Sequence, residues 1–229
     1  MKEQIPPTVR PDYVAPVDFS ALVLDFDLKI ANAGVALVTG ISMNTADLRS
    51  GDLFVAMPGL KSHGALHVEK AVAAGASAVL TDTKGLELIG NCNVAVALLE
   101  NPRLKLGELA AYVYGNSPDV MPKIFATTGT NGKTSTTYLI EAILRQMGKV
   151  TGLTSTAERH IAGEVIVSRL TTPESTEMHS LIARMREQKV TDVAIEVSAQ
   201  AMTQHRVDGL VFDVAGFTNL SHDHLDDYG

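Results

Sequence analysis

The segment Thr128-Gly129-Thr130-Asn131-Gly132-Lys133-Thr134-Ser135 carries the densest chemical signal in the chain. A strand that runs into glycines, a lysine and a hydroxyl residue, and then into a helix, sets successive backbone N–H groups and a helix N-terminus around a phosphate. In that arrangement Lys133 reaches the β/γ-phosphates and Thr134 holds Mg²⁺. The strict G-x-x-x-x-G-K-[ST] spacing is not met, because Thr127 stands where the first glycine belongs. An ordinary glycine-containing turn with a solvated lysine is the alternative. The flanking strand and amphipathic helix favour the nucleotide.

Further along, Ala194-Ile195-Glu196-Val197-Ser198 puts one carboxylate at the end of an apolar run. In an α/β nucleotide fold the strand C-terminus faces the ligand crevice, so Glu196 is placed to bind a cation or orient water. A surface glutamate at a strand end is the other reading. Ser198, Gln204, His205 and Arg206 follow within one loop, where Arg206 is suited to a substrate carboxylate or, failing that, to solvent. Ser221-His222-Asp223-His224-Leu225-Asp226-Asp227 gathers imidazoles and carboxylates at the density of a cation or proton-transfer site. A polar helix start with aspartate caps fits the same residues. His63 and His67, in a polar turn and helix, are assigned structural or surface roles.

The elements that must hold these residues can be read from periodicity. Pro6, Pro7, Pro11 and Pro16 break up the start, so residues 1–34 read as an irregular lead-in with room for one short strand. Apolar runs at 35–38, 53–56, 78–80 and 94–98 alternate with a helical segment at 67–74, closed by Gly75, in the rhythm of an α/β unit. Helical spacing at 102–114 stops at Gly115-Asn116-Ser117-Pro118, and a domain boundary is expected between about 115 and 122. A strand at 123–127, helices at 135–147 and 174–188, and buried parallel strands at 193–197 and 211–217 complete the expectation. Composition bounds the function. With 229 residues the chain forms one large domain or two small ones. A net charge of −7 and 5% aromatics without Trp argue against nucleic acid and anionic membranes. A lone Cys92 excludes a disulfide framework and fits a reducing cytoplasm. No segment is apolar enough for a membrane span, and the N-terminus lacks a signal-peptide core.

Together these segments resemble the Mur ligases over about residues 39–229, and within them the tripeptide-forming branch. The residues that carry the resemblance are Gly51-Asp52-Leu53-Phe54-Val55-Ala56, the phosphate loop, Glu196-Val197-Ser198 with Gln204-His205-Arg206-Val207, and Phe217-Thr218-Asn219-Leu220-Ser221 with Asp223-His224-Leu225-Asp226. The resemblance implies an α/β chain: a small UDP-binding domain at 35–117, then a P-loop-type ATPase domain with a mostly parallel sheet at 118–229. It implies a monomeric, cytoplasmic, ATP-dependent amide ligase that adds meso-diaminopimelate or L-lysine to UDP-N-acetylmuramoyl-L-alanyl-D-glutamate through an acyl phosphate. Other Mur-type ligases and a non-catalytic nucleotide-binding protein are the rival readings.

By matching position, Gly129, Thr130, Asn131, Gly132, Lys133, Thr134 and Ser135 bind ATP, and Lys133, Glu196 and His224 are catalytic. Thr134 contacts a first Mg²⁺, while Glu196 and His224 serve a second. Thr171, Thr172, Ser198, Gln204 and Arg206 hold the muramoyl dipeptide, and Met43, Thr45, Lys61 and Ser62 the uridine nucleotide. Asn44-Thr45-Ala46 departs from the common Asp-Ser-Arg, and Gln200 and His222 stand where His and Arg are frequent. Family members are longer, so the segment is expected to end inside the ATPase domain, short of a modified lysine that serves the second Mg²⁺.

Overall fold

The computed structural model describes residues 8–59 and 61–222. The first half folds from short apolar runs separated by turns. Residues 17–38 hold β1 (Val17–Asp18), α1 (Phe19–Asp25), β2 (Lys29–Asn32) and β3 (Leu37–Val38). This corrects the irregular lead-in expected over 1–34. The N-terminal run of prolines ends at Pro16, after which Asp18 caps α1 by accepting from the Ser20 amide, and β1 pairs antiparallel with β3. The chain continues through β4 (Gly40–Ser42), β5 (Asp52–Ala56), α2 (Val68–Ala73), β6 (Ala78–Thr81), α3 (Thr83–Ile89), β7 (Ala95–Leu98) and α4 (Pro102–Val113). Strands β4, β5, β6 and β7 are parallel neighbours, and β2 closes the far edge antiparallel to β7.

The second half opens with β8 (Lys123–Thr128) and α5 (Lys133–Gln146), then β9 (Thr151–Thr154), β10 (Glu158–Ile161) and β11 (Glu164–Val167). It continues with α6 (Ser175–Glu187), β12 (Asp192–Glu196), α7 (Ala199–Thr203) and β13 (Val214–Phe217). The sheet order is β11-β10-β9-β12-β8-β13, with β9, β12, β8 and β13 parallel and the β10–β11 hairpin added antiparallel. Both halves are therefore mixed α/β with mostly parallel sheets, as the sequence reading expected. Among the described residues no helix is long and apolar enough to cross a membrane.

Two expectations change. The 211–217 run is not a buried strand: only 214–217 is extended, and β13 lies at the sheet edge with all four residues exposed. Helix α5 starts at Lys133 rather than Ser135, and its packed face is Thr137, Glu141 and Leu144, while Leu139, Ile143 and Met147 stay exposed. A buried glutamate on that face is tolerated because Glu141 accepts a 3.1 Å hydrogen bond from Thr151 and lies 3.2 Å from His160 Nδ1.

The halves share structure. Leu106, Leu109 and Val113 of α4 join one face of the first sheet in a core that also takes in Ala183 of α6. Residues 8–13 run between the two sheets as a strap. Arg10 grips Asp52 with two bonds of 2.8 and 2.6 Å, both side chains almost wholly buried. Ser180 Oγ of α6 donates to the Val9 carbonyl at 2.7 Å, and the amides of Asp12 and Tyr13 donate to Glu187.

Candidate nucleotide and substrate site

The four parallel strands of the second sheet bring their C-terminal ends to one place. The phosphate loop follows β8, Glu196 ends β12, Thr156 lies just beyond β9, and Thr218 and Asn219 follow β13. Such a strand edge is where open α/β sheets bind ligands. Here it forms a cavity of about 420 Å³ whose lining includes Thr130, Lys133, Thr134, Thr156, Glu196 and Arg206.

The loop conformation depends on its glycines. Gly129 has φ +127° and Gly132 φ +82°, regions that L side chains rarely occupy. Asn219 then fixes the crest: its Oδ1 accepts from the Asn131 amide at 2.9 Å and its Nδ2 donates to the Asn131 carbonyl at 3.0 Å. Lys133 Nζ folds over the loop, donating to the Gly129 and Thr130 carbonyls at 2.8 and 2.9 Å. Among the described residues no side chain caps α5, so the first-turn amides after Gly132 are left to a ligand or water.

Glu196 is buried, yet its carboxylate is ringed by donors. Thr134 Oγ1 lies 3.0 and 3.1 Å from its two oxygens, and the Thr156 amide donates to Oε2 at 2.9 Å. A hydroxyl and a carboxylate oxygen side by side on the cavity wall form the hard donor set that Mg²⁺ prefers. The donors present thus suit a cation beside Thr134 and Glu196, although the resemblance assigns Thr134 to a first Mg²⁺ and Glu196, with His224, to a second. Asp223, His224 and Asp226 lie outside the described residues. Among those described, no group of three or more His, Cys, Asp or Glu could hold a metal.

Thr171 lines the same cavity, and Thr172 Oγ1 braces the end of β12 by donating to the Glu196 carbonyl at 3.0 Å while accepting from the Ser198 amide at 3.1 Å. Ser198 caps α7 through the Ala201 amide. Arg206 is not a solvated cation: Nε lies 3.0 Å from Glu174, and Nη2 donates to Gln204 Oε1 at 2.6 Å. Glu174, the N-cap residue of α6, is held on its other side by Arg103 of α4 at 2.5 Å.

A second cavity of about 730 Å³ opens where the loop after β4 meets the segment after β11. Met43 and Asn44 line it from the first half, and Arg169, Leu170 and Glu177 from the second. Leu170 lines both cavities, so the two are neighbours on either side of that residue. Arg169 clasps the first half by donating to Thr8 and Asp47 at 2.8 and 3.0 Å. Thr45, Lys61 and Ser62 do not line this cavity, although their loops leave the same ends of β4 and β5. Lys61 and Ser62 are exposed in a turn closed by the Gly59 amide on the Ser62 carbonyl. His63 plays the structural part assigned to it. Its Nδ1 accepts from the Ala65 amide, which places the ring proton on Nε2, facing Asp82 at 3.1 Å.

Residues 37–114 match the family model for the Mur ligase family, catalytic domain, and residues 127–229 match the Mur ligase middle domain. The chain belongs to the Mur ligase family. Among curated relatives, the UDP-N-acetylmuramyl-tripeptide synthetase of Leifsonia xyli subsp. xyli (strain CTCB07) is 50% identical over 225 residues, covering 97% of this chain and 43% of its own length. A UDP-N-acetylmuramoyl-L-alanyl-D-glutamate–2,6-diaminopimelate ligase of Streptomyces coelicolor (strain ATCC BAA-471 / A3(2) / M145) is 45% identical over 193 residues, 84% of this chain and 38% of its own. The chain thus spans about two fifths of the length of these Mur ligases. A solved structure of the same ligase name aligns with a TM-score of 0.75 over 92% of this chain and 42% of that one, at 24% identity, which shows the shared fold.

Within this Mur ligase chain, sequence reasoning missed Thr156. Its contact with Glu196 joins residues 40 apart, and no local spacing signals it.

Proposed function

We propose that this chain is the nucleotide- and substrate-binding part of an ATP-dependent ligase that adds a diamino acid, meso-diaminopimelate or L-lysine, to UDP-N-acetylmuramoyl-L-alanyl-D-glutamate in peptidoglycan synthesis. The observation that carries this reading is the pair of neighbouring cavities that share Leu170 in their walls. An elongated substrate then lies with its UDP end beside Met43 and its D-glutamyl end toward Thr171, Ser198 and Arg206. The side-chain carboxylate of D-glutamate meets ATP at the phosphate loop. Transfer of the γ-phosphoryl group gives an acyl phosphate, the incoming amine attacks its carbonyl carbon, and phosphate leaves as the amide forms. Lys133 and the amides of 129–135 offset the charge that builds on the transferred group. Mg²⁺ held at Thr134 would add to that charge neutralisation, with Glu196 and His224 assigned to a second ion. Residues 35–117 are assigned to the UDP-linked substrate and 118–229 to ATP. The reaction is placed in the cytoplasm, with the enzyme a monomer.

Isothermal titration tests the reading. Saturable binding of UDP-muramoyl dipeptide displaced by UDP, and Mg²⁺-dependent binding of ATP lost in Lys133→Ala, are the expected results. Absence of any interaction with the UDP-linked peptide would overturn the substrate assignment.

A further inference from the structure

Resting on the reading of the 420 Å³ cavity as a nucleotide site, we propose that Thr156 is a positioning residue for Glu196, the middle link of a directed hydrogen-bond chain from Thr171 to that carboxylate. Thr156 Oγ1 lies 3.2 Å from both Glu196 oxygens and 3.1 Å from Thr171 Oγ1. A carboxylate only accepts, so the single Thr156 hydroxyl proton points to Glu196 and the Thr171 hydroxyl donates to Thr156. The Thr156 amide adds a second bond to Oε2 at 2.9 Å, giving one residue two holds on the carboxylate.

The turn that presents Thr156 is itself fixed. Buried Ser155 donates through Oγ to the Glu158 carbonyl at 3.1 Å and accepts from the amides of Ala157 and Glu158 at 3.3 Å. Ser168 Oγ ties the same turn by donating to the Ser155 carbonyl at 2.8 Å. Thr156 therefore sits on a braced turn rather than a loose loop, although its side chain faces the cavity. A hydroxyl that gives a lone pair to a cation keeps its proton, so Thr134 can still donate to Glu196, and the two Thr156 bonds add to the aim of the carboxylate. Thr171 at the far end of the chain is a residue assigned to the muramoyl dipeptide, so the link runs from the substrate side of the cavity to its phosphate side.

Partners that orient a ligating carboxylate are worth about 10–100-fold in metal affinity. Mn²⁺ binding to the chain with a non-hydrolysable ATP analogue, followed by electron paramagnetic resonance, reads this directly. Thr156→Val is expected to weaken Mn²⁺ binding about 10-fold while leaving metal-free nucleotide affinity unchanged, and Thr156→Ser to restore it to within about twofold of the parent, since serine keeps the hydroxyl. Thr171→Val, which perturbs the chain from outside the turn, should show a smaller loss in the same direction and covers the case in which Thr156→Val does not fold. Parent-like Mn²⁺ affinity in both valine variants, or a Thr156→Ser variant as weak as Thr156→Val, overturns the proposal. Glu196→Gln separates the two levels: if it binds Mn²⁺ like the parent, the cation reading of the cavity itself fails.

Discussion

Both halves are built on a mostly parallel sheet and use their strand ends differently. In the first half the polar groups near the strand ends are tied to each other: Arg10 to Asp52, both buried at the N-terminal start of β5, and His63 to Asp82, just beyond β6. In the second, Lys133, Thr134, Glu196 and Arg206 stand around an open cavity. A parallel sheet supplies a common edge for loops to meet. Which residues point into the space beyond that edge decides whether the edge is a joint or a site. Here the first edge is mostly joint, and of the expected nucleotide contacts it is Met43 that reaches the shared cavity.

Arg10→Ala should separate these roles most sharply. Removing one partner of a buried pair leaves Asp52 uncompensated, with a cost of about 3–5 kcal/mol in urea unfolding. ATP affinity of the folded fraction should stay unchanged, and a loss of ATP binding in folded protein would erase the distinction between the halves. Lys133→Ala is the converse. In a ligase that contains this sequence it should lower the rate by about 10²–10³-fold, the scale for losing one aimed donor, with the unfolding midpoint unmoved.

A third test falls at the contact between the halves. His179 of α6 is fully buried, with Nε2 donating to the Asp208 carbonyl at 2.9 Å and Nδ1 facing Asn116 Nδ2. Burial pushes its pKa down from 6.5 to about 4. The unfolded chain therefore binds a proton that the folded one refuses between about pH 6.5 and 4. Stability is full above that window and falls as pH drops through it, by up to about 1.4 kcal/mol per unit and on the order of 3 kcal/mol in all. Urea midpoints measured across that window should fall more steeply in the parent than in His179→Gln. The smallest effect is expected at the β10–β11 turn, where Gly163 has φ +93°. Gly163→Ala should cost about 1 kcal/mol in thermal unfolding without touching either cavity.

Much of the second half is legible in the sequence because its signals are local. Glycines, a lysine and a threonine between a strand and a helix announce β8, the loop and α5, and an apolar run ending in a carboxylate announces β12 and Glu196. The hairpin β10–β11 is not legible. Its strands carry Glu158, Arg159, His160 and Glu164, and Arg159 is wholly buried with Glu177 of α6 meeting it at 2.6 Å. Its turn, Ala162-Gly163, lacks the asparagine or aspartate that marks such hairpins. In the first half the prolines before residue 17 conceal β1, α1 and β2, which begin directly after them. Arg10 sits among those prolines, and nothing local shows that it pairs with a residue 42 positions on. Lys61 and Ser62 show the limit from the other side: the sequence marks the turn, but the direction it faces is set by the sheet.

The central claim is that the two neighbouring cavities form one site for one elongated substrate. Isothermal titration of UDP-muramoyl dipeptide into the parent chain, Met43→Glu and Lys133→Ala tests it most directly, with ATP and Mg²⁺ titrated in parallel. Met43→Glu should weaken the UDP-linked peptide about 10-fold or more, by setting a carboxylate beside the proposed place of the anionic UDP end, and leave ATP binding intact. Lys133→Ala should do the opposite. Parent-like affinity for the UDP-linked peptide in Met43→Glu would contradict the account.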